Sequence, residues 1–93
     1  MIEEIVETRR FEFLDLYEAQ NESSRRLLRA IAVAGPVAEP LAGDFIVKHG
    51  LRATSSVASA LKDLLGRDLL YKMPTREYIV YDRFFGTWLR SLL

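Results

Sequence analysis

The chain has no cysteine, a single histidine, no net charge and no apolar run close to the length of a membrane span. Each absence removes a class of protein. Without cysteine there is no disulfide framework and no thiolate chemistry. One histidine without cysteine supplies no zinc site. This composition fits a reducing cytoplasm, the expected location. A membrane span needs about 18 consecutive apolar residues, so no membrane partner is expected. Met1-Ile2-Glu3-Glu4 lacks the basic start and apolar stretch of a signal peptide. Thirteen basic residues against thirteen acidic ones count against strong nonspecific DNA binding by the chain as a whole. What is present, 93 residues with 49% apolar and 28% charged side chains, suits one soluble domain with a single core, residues 1–93.

The apolar residues are patterned. Over residues 2–20, Ile2, Ile5, Val6, Phe13, Leu16 and Tyr17 share one face at about 100° per residue, which predicts a long helix. Phe11 and Leu14 fall off that face. Either the helix breaks near Arg9-Arg10, or it has a second apolar face that needs a partner; the alternative is that the last helix of the chain covers both residues. Asn21 or Ser23 can cap the next helix, which runs to about Ala34. Leu27, Leu28, Ile31 and Ala32 face inward there, and Arg25, Arg26 and Arg29 outward. Gly35 is expected as its left-handed cap, and Pro36 cannot continue it. Residues Pro36 to Glu39 read as a linker or a single short strand.

Pro40 to His49 predicts a short helix, with Pro40 in the first turn and Leu41, Phe45 and Ile46 facing the core. Gly43, inside it, is expected to permit close helix packing. Gly50-Leu51-Arg52-Ala53 is a turn with Leu51 as a buried plug. Thr54 is expected to cap the following helix, which Gly66 ends. Val57, Leu61, Leu64 and Leu65 form its apolar stripe, with Ala58 and Ala60 beside them. Its opposite face is Ser55, Ser59, Lys62 and Gly66, flanked by Ser56 and Asp63. That face is small enough to approach a surface closely.

Leu69–Met73 and Glu77–Tyr81 are rich in strand formers, and Pro74-Thr75-Arg76 joins them as a hairpin. Asp82 can cap a last helix. Its stripe is Phe84, Phe85, Trp88 and Leu92, widened by Leu89 and Leu93, and is expected to pack on the first helix. Helix, tight turn, helix, β-ribbon is the order of a winged helix-turn-helix. The fold class is therefore mainly α with a small β-hairpin: a winged helix-turn-helix core (22–81) with an added long N-terminal helix (1–21) and a C-terminal helix (82–93).

Charge is uneven along this plan. Residues 1–24 carry seven acids against Arg9 and Arg10. Residues 46–76 carry Lys48, Arg52, Lys62, Arg67, Lys72 and Arg76 against Asp63 and Asp68, so the reading head is basic by about four charges.

Three stretches resemble a known family. SRRLLRAIAVA (Ser24 to Ala34), HGLRATSSVASALKDLL (His49 to Leu65) and EYIVYDRFFGTWL (Glu77 to Leu89) are similar to the C-terminal winged-helix domain of prokaryotic, archaeal-type P-loop ATPases. The closing residues of that pattern are Tyr78, Val80, Asp82, Phe85, Trp88 and Leu89. The family commonly has Pro after the Asp, where this chain has Arg83. No Gly-x-x-x-x-Gly-Lys-Ser/Thr occurs, so the resemblance supplies no nucleotide site here. It implies either an excised C-terminal domain or a free-standing relative.

No catalytic constellation is legible. His49, at a helix C-terminus, suits a cation favoured by the helix dipole. Ser55, Ser56 and Ser59 lack a paired base. Glu22 and Arg26, four apart, are a mild helix stabiliser. No catalytic, metal or cofactor residue is expected, and an enzyme is not. For duplex DNA, the expected contacts are Ser55, Ser56, Ser59 and Lys62 on the helix, Arg52 at its start, and Lys72 and Arg76 in the wing. Binding would be salt-dependent and poor in sequence reading, because no Arg, Asn or Gln faces outward on that helix. Alternatively the domain is a protein-interaction module, with Phe11 and Leu14 facing its own upstream ATPase domain or a second copy. A third possibility is a small dimeric transcription regulator that pairs through its first and last helices.

Overall fold

The computed structural model describes residues 2–92, without the side chains of Ile2, Glu3 and Ile5. The expectations for the Ile2, Ile5 and Leu93 side chains lie outside the described residues. The elements are α1 (Ile2–Thr8), α2 (Arg10–Glu18), α3 (Glu22–Ala34), α4 (Gly43–Lys48), α5 (Thr54–Gly66), β1 (Leu70–Lys72), β2 (Tyr78–Val80) and α6 (Arg83–Arg90). This is a mainly helical fold with one antiparallel hairpin, in which Leu70 pairs with Val80 and Lys72 with Tyr78.

Helix α3 lies at the centre because its apolar stripe is wide. Leu27, Leu28 and Ile31 are almost completely buried, each worth about 1.5–3 kcal/mol of transfer free energy. Asn21 caps it by accepting from the Ser24 amide at 2.9 Å. Helices α5 and α6 both pack on α3, and Leu64, Leu70, Phe85 and Leu89 complete the core. One residue before the helix-turn-helix, Val37, adds an edge. Val37 donates to the Tyr78 carbonyl at 3.0 Å and accepts from the Tyr78 amide at 2.7 Å. Of the two readings of 36–39, the strand is therefore a single bridge.

The long first helix breaks, and the residue at the break is tied to three neighbours. Arg9 separates α1 from α2. Its guanidinium pairs with Glu12 at 2.7 Å and with Asp82 at 2.9 Å, and stands 4.6 Å over the Phe13 ring. Asp82 is also the cap of α6, accepting from the Phe84 and Phe85 amides. Phe13 is fully buried and meets Phe85 at 5.3 Å and Trp88 at 6.1 Å. The last helix does close the core against the first segment. It does not cover Phe11, which stays 69% exposed, or Leu14. Leu92, expected in the packed stripe, is also exposed.

Several local expectations change. Gly35 is extended (φ −53°, ψ 154°) rather than left-handed. Glycine is needed there because a Cβ would lie 2.5 Å from the Ile31 carbonyl oxygen. Helix α4 starts at Gly43, not Pro40, so Leu41 precedes it and is exposed. Gly43 has no neighbour near its missing Cβ, so it mediates no close packing. Thr54 is the first residue of α5 and not its cap; Ala53 holds that position without a side-chain bond. The arginines of α3 are half-buried rather than outward. Arg26 reaches the Gly50 carbonyl at 3.1 Å, and Arg25 stands 5.9 Å over the Tyr17 ring. The strands are three residues long, not five.

Two helix ends share one geometry. After α4, the Gly50 amide bonds Val47 and the Leu51 amide bonds Ile46, with Gly50 at φ +64°. That is the Schellman arrangement, with Leu51 turned into the core. After α5, the Asp68 amide bonds Leu65 and the Leu69 amide bonds Leu64, with Asp68 at φ +59°. The terminating residue is Asp68, not Gly66. Left-handed backbone is costly for a residue with a Cβ. Aspartate tolerates it better than most, so Asp68→Gly is expected to raise stability by at most about 1 kcal/mol, read as a small upward shift in thermal midpoint.

His49 is half-buried against Phe45, ring centroids 4.4 Å apart. Burial first, and then the Lys48 charge, pull its pKa below 6.5. These effects act against the expected dipole-stabilised cation and favour the neutral ring. The folded state then takes up its proton later than the unfolded chain as pH falls. Stability is expected to decline as pH drops through 6.5, and His49→Gln to remove that part of the slope. Glu12 and Glu22, whose pKa values lie below 4.5 through the Arg9 and Arg26 hydrogen bonds, add their losses only at more acid pH.

Candidate nucleic-acid interface

The inward stripe of α5, Val57, Ala60, Leu61 and Leu64, is buried, and this fixes what faces out. Ser55, Ser59 and Lys62 are exposed and Ser56 is half-buried. Ser55, Ser56 and Ser59 line a shallow groove with Asn21, Ser23 and Asp63. Lys62 borders a second groove with Ser59, Asp63, Gly66 and Arg67. The two share Ser59 and Asp63, so the small polar face of α5 is continuous along the helix. Asn21 and Ser23 were legible in sequence only as helix-start residues. The chain crossing places them beside α5, and the Asn21 amide group still has its donors available after capping.

The cations are distributed differently from the simple count along the sequence. Arg52 lies 3.5 Å from Glu22, which also pairs with Arg26 at 2.8 Å. Arg67 pairs with Asp63 at 3.0 Å. Both pairs are exposed, and such pairs contribute only about 0–1 kcal/mol, so a phosphate can compete for either arginine. The side chains of Lys62 and Arg76 form no hydrogen bond or ion pair among the described residues. Lys72 stands 5.5 Å over the Tyr78 ring. Neither Lys72 nor Arg76 lines the two α5 grooves; they belong to the hairpin.

The hairpin carries one unusual residue. Its turn is closed by Arg76 donating to the Met73 carbonyl and Met73 donating to the Glu77 carbonyl, each at 2.8 Å. Arg76 sits at φ +71°, where a three-residue hairpin turn usually places glycine. The tip of the wing thus carries a cation in a backbone conformation that is costly for a residue with a Cβ.

Phe11 and Leu14 stand elsewhere, on the outer side of α2, opposite Phe13 and Tyr17. Among the described residues no cluster of His, Cys, Asp or Glu is suited to a metal, and no helix is long and apolar enough to cross a membrane.

A family model described as "Probable winged helix domain" matches residues 11–91. No curated protein and no solved structure matches the chain.

Proposed function

The chain belongs to the winged-helix family, and from that premise we propose that it holds duplex DNA through α5 and the hairpin as a non-catalytic, cytoplasmic docking domain. The observation that carries this reading is Arg76, a cation kept in a left-handed position at the exposed wing tip. Ser55, Ser56 and Ser59 let α5 approach closely, and Arg52, Lys62, Lys72 and Arg76 meet phosphates. Glu22 and Asp63, set among them, temper the attraction. The contacts position the duplex and read little sequence.

About four phosphate contacts give a log K against log salt slope of roughly −3 to −4. A titrated mobility shift tests this: affinity indifferent to salt would sink the reading. Arg76→Gly separates function from fold. It is expected to raise stability by about 1 kcal/mol while weakening DNA binding, with a slope shallower by about one unit.

The closing residues Tyr78, Val80, Asp82, Phe85, Trp88 and Leu89 support a finer reading, as the C-terminal domain of an archaeal-type P-loop ATPase whose catalysis lies outside this stretch. A P-loop in the reading frame before Met1 is the expected result; another kind of sequence there would refute the parentage.

A second reading rests on the 69% exposure of Phe11: α2 is a protein-docking face. Phe11→Asp is expected to abolish association while leaving the thermal midpoint nearly unchanged.

A further inference from the structure

The outer face of α5 is serine and lysine, which read bases poorly, but a second element brings another side chain to that face. Asn21 precedes α3, and the packing of α3 on α5 sets it in the same groove as Ser55, Ser56 and Ser59. It is exposed. Its Oδ1 accepts from the Ser24 amide at 2.9 Å, which anchors the side chain. Its Nδ2 donates to no group among the described residues. The groove therefore holds an amide that is fixed through its oxygen and keeps two N–H donors free.

The lining decides what those donors would meet. Among the described residues it includes no lysine or arginine and one carboxylate, Asp63. Glu22, next to Asn21 in the chain, adds a second acid, paired to Arg26 and Arg52. A phosphate is poorly received between two acids, whereas a neutral base edge is not repelled. In the major groove guanine presents two acceptors, N7 and O6. Adenine is the usual partner of asparagine, but that pairing also uses Oδ1 as an acceptor, and here the cap engages it.

We infer that Asn21 is a specificity-determining residue, donating from Nδ2 to the guanine acceptors of one base pair when duplex DNA lies along α5. This rests on the reading of α5 and the hairpin as a duplex interface. It adds one read position to contacts that otherwise grip phosphates. The reading side chain sits outside the recognition helix, so no pattern along α5 would reveal it.

Selection from a pool of short duplexes with a randomised centre tests it. The parent chain is expected to enrich guanine about ten-fold at one position. Asn21→Ser removes the amide donors while serine caps a helix as well as asparagine does, so the thermal midpoint is expected to hold. The guanine enrichment is expected to vanish and the salt slope to stay that of the parent, since no phosphate contact is lost. Bound sequences without a preferred base overturn the inference, as does a guanine preference that Asn21→Ser leaves intact. Uniform weakening across all sequences with a shallower salt slope also overturns it, making Asn21 a backbone contact. Each of these results leaves duplex binding standing. A parent chain that binds no duplex at all removes the underlying reading as well.

Discussion

Phe13→Ala is expected to cost about 3–5 kcal/mol, a large share of the roughly 5–15 kcal/mol that stabilises a domain of this kind. Phe13 is fully buried and touches both Phe85 and Trp88, while Trp88 also meets Tyr17 at 5.7 Å. Removing its ring opens a cavity where α2 meets α6 and takes away the surface beneath Arg9. The thermal midpoint is expected to fall by roughly 15–30 °C. Urea denaturation followed by Trp88 emission measures the loss, since the chain has one tryptophan. The control is Phe11→Ala, two residues away and exposed, which is expected to change stability by no more than about 0.5 kcal/mol. Equal costs for the two would mean that α2 is rotated from the register described.

The second large effect concerns binding. Reversing Lys62, Lys72 and Arg76 to glutamate removes the three candidate cations that have no acidic partner among the described residues. Affinity for duplex DNA at low salt is expected to drop at least about a hundred-fold, and the salt slope to flatten by roughly three units. All three side chains are exposed, so far-UV circular dichroism and the urea midpoint should stay close to those of the parent. A triple variant that still binds with the parent slope would move the interface away from α5 and the hairpin.

The elements that were legible from sequence are those whose signal is local and periodic. The span of α5 was readable because Val57, Leu61 and Leu64 repeat at helical spacing, and Asn21 and Asp82 were readable as caps because their side chains bond amides two or three residues on. Glycine was less informative. At Gly50 it serves a positive φ, at Gly35 a close approach to a carbonyl, and at Gly66 neither. The residue that ends α5 is an aspartate, which no glycine rule would find. At the break, Arg9 pairs with a carboxylate near the other end of the chain, a contact invisible to helical periodicity, which offered the break only as one of two options. The site was legible by residue type but not by electrostatics. Arg52 and Glu22 are far apart in sequence, and only folding brings them together to lower the positive charge beside α5.

Asp82 follows the second strand, begins the last helix and holds the arginine between α1 and α2. Three elements therefore meet at one carboxylate. The carboxylate is a shared corner: it fixes where the hairpin ends, where α6 starts and where the N-terminal segment bends. Losing Arg9 would leave the cap of α6 in place, and the Phe13 contacts with Phe85 and Trp88 would still hold α2 against α6.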